Sequence, residues 1–257
     1  SALAFMERPE ALRNLIAVGG DLERVGILDN FSWGNPDRPD RLGSLVLAAE
    51  GAAEASIAFE TPFISGKDSL NNEFTIKGES VPIPGTLLIS ALGVMKDVRK
   101  ALTMDLKEPG NHLYLVGATR RELGGSHYWA LSGNIGNSVP RVDLEAAKKT
   151  FDRVTRATAA KLVRSAHDLS EGGLAVAAAE MAFAGGVGAE IDIEQVISDG
   201  TCKRADEILF SESHSRFLLE VPPEKAAEFE AVMGQAPFAK YGKTTDEPSD
   251  CYQAGNG

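Results

Sequence analysis

Leu144, Ala147, Phe151, Val154, Thr158 and Leu162 follow one another at steps of three and four in "LEAAKKTFDRVTRATAAKLVRSA". At 3.6 residues per turn they share one helix face, and the opposite face is charged. A helix with a single apolar stripe is stable only when another layer covers it. Candidate covering strands are "RVGILDNF", "TPFIS", "HLYLVGAT", "VGAEIDI", "SRFLLEV" and a segment around "FAKYGKT", with Thr86–Met95, "TLLISALGVM", reading as a strand of buried type. Several alternate apolar with polar residues, which predicts two-layer α+β domains rather than a doubly wound parallel sheet.

Three further helices are expected. Pro9 followed by "EALRNLIAV" and Gly19-Gly20 reads as a short helix with proline near its start and glycine past its end. "RLGSLVLAAEGAAEASIAFE" places Leu42, Leu45, Val46, Ala49 and Ala53 at helical spacing, weakened at Gly51 by about 1 kcal/mol relative to alanine. "PEKAAEFEAVM" is the third. "GGSHYWALSGNIGNSVP" is a long loop, and the charged stretch ending in Pro109-Gly110 marks a boundary near residue 107. The 257 residues therefore divide into domains 1–107 and 108–257. The first helix arrives almost at once, as it would in a piece of a longer protein.

Charge and cysteine usage narrow the function. Twenty-six Lys and Arg against 37 Asp and Glu give a net charge of −11, which argues against non-specific nucleic-acid binding. A small anionic ligand stays open, since backbone amides or a metal supply local positive potential. Uninterrupted apolar runs fall short of the ~20 residues of a membrane helix, and charges from Glu7 onward break up any secretory signal. Two isolated cysteines, Cys202 and Cys251, make neither a disulfide framework nor a zinc site, so a reducing, cytoplasmic setting is expected.

Four stretches carry candidate chemistry. "SGKDSLNNEF" ends like a P-loop but has Thr61 where the first glycine belongs and Asp68 after the lysine, which argues against a Walker-type site. Gly66 would let backbone approach a ligand, and Lys67 and Ser69 offer a cation and a hydroxyl; a polar turn is the alternative. In "DNFSWGNP", Asp29 and Asn35 are candidate metal or ribose ligands and Trp33 an aromatic face, or the segment is an ordinary turn. Glu10 and Asn14, four apart, project hard oxygens from one helix face, as Mg²⁺ prefers and as any solvated face would. In "HDLSEGGLAVAAAEMAFAGG" a glycine-led helix start follows Asp168 and Ser170. Either these residues cap the helix, or Asp168 holds a metal and Ser170 a phosphate at its positive end. A Ser–His pair in "LFSESHSRFLLEV" lacks the nucleophile elbow of a hydrolase.

Taken in order, "EALRNLIAVGG", "LDNFSWGNP", "TPFISGKDSLNNE", "GTLLISALGV", "LGGSHYW", "VPRVDLEAAKK", "HDLSEGGLAVAAAEMAFAGG" and "LFSESHSRFLLEV" resemble the formylglycinamide ribonucleotide amidotransferase family, its shorter synthetase subunit above all. That family is related to aminoimidazole ribonucleotide synthetase and selenophosphate synthetase. The resemblance implies an α+β fold of two domains like the N- and C-terminal domains of aminoimidazole ribonucleotide synthetase, the first truncated at its N-terminus. It implies the C-terminal part of an enzyme in which ATP and Mg²⁺ activate formylglycinamide ribonucleotide and glutamine-derived ammonia completes the amidine. The missing N-terminal half of the synthetase, a glutaminase subunit and a small bridging subunit are the implied partners, with no nucleic acid and no membrane.

By motif, Glu10, Asn14 and Asp168 resemble magnesium ligands. Asp29, Gly66 and Ser170 resemble ATP contacts, and Ser69 resembles a substrate contact. Many members carry asparagine after the glycine, assigned to Mg²⁺; here it is Lys67, whose ammonium cannot ligate a cation and is implied to contact phosphate directly. No residue is matched to the family's catalytic histidine, so the chain alone is expected to be inactive. The alternatives are a non-catalytic nucleotide-binding scaffold half, or a related synthetase acting on selenophosphate or aminoimidazole ribonucleotide chemistry.

Overall fold

The computed structural model describes the backbone of residues 2–246 and 250–253 and the side chains of residues 9–246. The chain opens with α1 (Ala2–Ala17), β1 (Val25–Ser32), α2 (Pro39–Phe59) and β2 (Phe63–Ser69). A small hairpin, β3 (Glu73–Ile76) and β4 (Glu79–Pro82), and then β5 (Thr86–Gly93) follow. β1 is central in a three-stranded sheet, parallel to β2 and antiparallel to β5.

Beyond residue 107 come β6 (His112–Val116), α3 (His127–Ala130), α4 (Leu144–Ala159), β7 (Ser165–Asp168), α5 (Gly173–Gly185) and β8 (Gly188–Asp192). α6 (Ala205–Phe210), β9 (Phe217–Val221), α7 (Ala226–Met233), β10 (Phe238–Thr245) and β11 (Asp250–Gln253) complete it. Their strands form a six-stranded sheet ordered β11-β8-β10-β6-β9-β7, antiparallel except where β11 joins β8.

The stripe on α4 is buried as expected, Phe151, Val154 and Ala157 being fully inaccessible, although the helix ends before Leu162. The six-stranded sheet differs from the two-layer expectation. Tyr114, Val116 and Leu219 face α4 and α7, while Leu113, Leu115 and Leu218 face α5. Helices on both faces bury the central strands β6 and β9 on both sides.

Four readings need correction. α1 extends through Pro9 rather than starting there, because burial of Leu12, Arg13 and Ile16 in the next turns offsets one lost helical hydrogen bond. α2 buries its small face, Ala48, Gly51, Ala52 and Ala55, and leaves Leu42 and Val46 exposed. That helix, 21 residues at hydropathy 1.4, does reach the length and composition of a membrane span; it packs on α1 and α4. β5 is buried on one face only, with Leu87 and Ile89 inside and Leu88 and Leu92 out.

The two sheets are joined by a shared apolar cluster. Leu12 and Ile16 of α1 and Phe59 of α2 belong to the same core as Phe151 and Phe217. Phe59 stacks on Phe151 at a centroid separation of 5.4 Å. α1 thereby reaches both α4 and the end of β7.

Candidate functional site

The seam between α1 and β7 is built on a buried ion pair. Arg13, facing inward from α1, donates from Nε to Asp168 Oδ2 at 3.2 Å. Its Nη1 lies 3.0 Å from His214 Nδ1. Burial raises the Asp168 carboxyl, but the neighbouring His167 and the Arg13 charge outweigh it and hold it below the usual range. His214 is pushed down to about 3 by burial and by Arg13 and Arg216, so it is neutral at pH 7. Arg216, fully buried, is anchored by donating to the carbonyls of Ser211 and Ser213 and to Thr119 Oγ1. It fixes the loop that precedes β9.

The turn from β7 into α5 corrects the reading of a side-chain cap. Neither Asp168 nor Ser170 caps the helix: Gly172 is the N-cap, at φ 78°, with no side-chain cap bond. Ser170 is half-buried and accepts the Gly173 N–H through its backbone carbonyl. A Cβ on Gly173 would lie 2.3 Å from the Ser211 carbonyl oxygen, so glycine permits backbone to pack on backbone there. The Gly172 N–H is already engaged there, donating to Glu212 at 2.9 Å.

Around this turn carboxylates gather. The Glu10 carboxyl is raised, first by burial; Arg13 opposes this, and Glu171, Asp168 and Glu212 add to it. Glu10 and Asn14 line a cavity of about 280 Å³ with Ala11 and with Thr86, Leu87, Leu88 and Ile89 of β5. Among the described residues no three His, Cys, Asp or Glu side chains are already arranged as a metal cage. The donors still suit Mg²⁺, which takes hard oxygens and commonly one or two carboxylates completed by phosphate and water. A cation would relieve the repulsion from Glu171, Asp168 and Glu212 that adds to the burial of Glu10.

The second group of candidates lies across β1. Asp29 pairs with Gly66 on one side and with Ile89, a wall of the cavity, on the other. A Cβ on Gly66 would fall 1.6 Å from Asp29 Oδ1, so glycine is needed for that carboxylate's position. β2 runs on through Lys67 and Ser69, where a loop was expected, and Lys67 Nζ donates to Ser69 Oγ at 2.7 Å. On this edge strand Lys67 is exposed and Ser69 half-buried. Trp33 and Asn35 drop out as ligand groups. The indole is buried and donates to Ser44 Oγ, and Asn35 Oδ1 accepts the Asp37 N–H in a turn.

Arg13, Glu212 and Arg216 were not identified from the sequence as parts of this site, and His214 was considered only as half of a hydrolase pair. A signal existed for Arg13, a cation set between Leu12 and Leu15-Ile16 on an otherwise apolar helix flank. Glu212 had none, because its partner is 40 residues away.

Comparison with known proteins places this geometry. The phosphoribosylformylglycinamidine synthase subunit PurL of Thermococcus sibiricus is 37% identical over 93% of this chain and 32% of its own length. That of Methanocaldococcus jannaschii is 41% identical over 84% of this chain and 29% of its own length. The chain thus spans about a third of these relatives. Thermotoga maritima PurL complexed with AMPPCP superimposes with a TM-score of 0.74 at 20% identity, over 97% of this chain and 38% of that one. HypE in a HypE–HypF complex gives 0.71 at 15% identity, over 98% and 82%. The family described as AIR synthase related protein, C-terminal domain, matches residues 108–251. That match covers more than half of the chain, which belongs to the AIR synthase related family.

Proposed function

We propose that this chain is the part of a phosphoribosylformylglycinamidine synthetase that holds a Mg-nucleotide at the seam of domains 1–107 and 108–257. The observation that carries the reading is a cavity of the first domain that lies beside Asp168 of the second. Glu10 and Asn14 share one cavity, and Asp168 lies near enough to raise the Glu10 carboxyl. The same three residues are those that the family resemblance marks for magnesium. The identity with proteins named PurL along nearly the whole chain supports the substrate class.

In this reading Glu10, Asn14 and Asp168 hold Mg²⁺, Arg13 keeping Asp168 Oδ2 and the metal meeting Oδ1, which lies 3.7 Å from His167 Nδ1. Bound there, Mg²⁺ neutralises phosphate charge. Asp29, Gly66 and Ser170 contact ATP, Lys67 meets a phosphate oxygen as a point charge, and Ser69 contacts formylglycinamide ribonucleotide. Ammonia from glutamine, delivered by a glutaminase subunit with a small bridging subunit, belongs to the whole cytoplasmic assembly. The Thermotoga maritima protein is described within a PurLQS structure, which supports such partners. This chain alone is expected to make no amidine from formylglycinamide ribonucleotide, ATP and ammonia; product formation would overturn that expectation.

A second reading is favoured by the buried Arg13–Asp168 pair, which makes the seam a structural joint: the nucleotide is held without turnover, as a scaffold. Bound ATP recovered intact after prolonged incubation would select it. The experiment for both readings is thermal unfolding with and without Mg-ATP. Occupancy at 100 times Kd stabilises by about 2.7 kcal/mol, so the melt shifts upward by several degrees. An unshifted melt refutes the nucleotide site.

A further inference from the structure

We infer that Glu212 is a positioning residue of the candidate nucleotide site, its carboxylate holding the 168–173 turn in place by closing the N-terminal end of α5. The inference rests on the proposed nucleotide reading and adds to it a residue that contacts neither metal nor nucleotide in that reading.

Four contacts make the case. Glu212 accepts the Gly172 N–H, the N-cap amide of α5, at 2.9 Å. The backbone of Glu212 is itself fixed, its N–H donating to the Glu122 carbonyl at 3.0 Å. On either side, the carbonyls of Ser211 and Ser213 are gripped by the buried guanidinium of Arg216. Gly173 presses on the Ser211 carbonyl, so the turn and the loop fit as one backbone-to-backbone contact.

This geometry reassigns the double glycine. The Gly172 amide faces a carboxylate of the chain's own and the Gly173 amide the Ser170 carbonyl, so both glycine amides are already engaged. What the turn offers a ligand is then the position of Asp168 and Ser170, whose spacing from Glu10 is set by how the turn docks on Ser211 and Glu212.

The test uses the 257-residue chain with Glu212→Gln and Glu212→Ala. Two quantities are read: amide hydrogen exchange at Gly172 and the Kd for Mg-ATP by calorimetry. Glutamine retains an acceptor oxygen, so exchange at Gly172 should match the wild type and Kd should stay within about threefold. Alanine leaves the amide unpaired; exchange should quicken and Kd weaken, each by at least about tenfold.

Unchanged exchange in Glu212→Ala would overturn the inference, as would quicker exchange with an unchanged Kd. A Glu212→Gln protein that protects Gly172 yet binds as weakly as Glu212→Ala would also overturn it, because the carboxylate would then act by charge. If Glu212→Ala does not fold, Glu212→Gln decides alone: wild-type values support positioning, and a weakened Kd refutes it. A wild type without measurable Mg-ATP binding refutes the nucleotide reading separately, and Gly172 exchange still decides whether Glu212 holds the turn.

Discussion

Replacing Arg13 with methionine should destabilise the protein by about 3–5 kcal/mol, the usual cost of stranding one member of a buried ion pair. The structure places this pair at that end of the scale. Arg13 and Asp168 side chains are 0% and 7% exposed, and the guanidinium also touches His214 at 3.0 Å. Methionine keeps most of the apolar volume, so the loss isolates the charge rather than a cavity. Asp168→Asn should cost a similar amount by leaving Arg13 uncompensated. The double variant should lose no more than either single one, giving an interaction energy of about 3 kcal/mol. Urea unfolding followed by tryptophan fluorescence measures all three, with Trp33 in the first part of the chain and Trp129 in the second. A loss below about 1 kcal/mol for Arg13→Met, or strictly additive losses, would refute the clasp between α1 and β7.

Other outcomes follow from the same geometry. Gly173→Ala, at φ 63° with the Ser211 carbonyl 2.3 Å from the new Cβ, should cost about 3 kcal/mol, whereas Gly186→Ala, at φ 62° in open space, should cost about 1 kcal/mol in the same urea assay. Gly66→Ala must expel Asp29 Oδ1 from its position; the Kd for Mg-ATP should weaken at least tenfold in calorimetry while the melt without ligand changes little, since β2 is an exposed edge. His214 supplies a pH dependence. The unfolded chain binds its proton near pH 6.5, whereas the folded protein refuses it until about 3. The unfolded state therefore holds more protons between these values, and stability rises with pH through that window. Glu10 and Glu212, both raised, act in the opposite sense, so the signature is the difference between wild type and His214→Gln. The variant's stability should fall less between pH 6.5 and 5; an identical slope refutes the assignment.

Elements with a strong local signal were legible in the sequence. The α4 stripe gave its helix and its buried face, and strands β1, β6, β8, β9 and β10 lie where apolar alternation put them. α2 was placed correctly but turned wrongly. The larger Leu42 and Val46 look like core residues by hydrophobicity, yet close packing against α1 selects the small Ala48, Gly51 and Ala52. Candidates on one element were the easiest to find, as Glu10 and Asn14 were by helical spacing. Their environment was not, because the Arg13–Asp168 pair spans 155 residues and the Glu212–Gly172 bond spans 40. The double glycine shows the limit most clearly. Sequence chemistry allows an open cradle or a side-chain cap, and only the structure shows that there is no side-chain cap and that both glycine amides are already engaged.

The central claim is a Mg-nucleotide held by Glu10, Asn14 and Asp168 at the seam. The most direct measurement is a crystal structure of the chain grown with ATP and Mn²⁺, the manganese located by its anomalous scattering. The account predicts a peak about 2.1 Å from oxygens of Glu10 and Asn14, with Asp168 as a further ligand still paired to Arg13. Nucleotide density elsewhere, or a manganese peak away from these side chains, would contradict it.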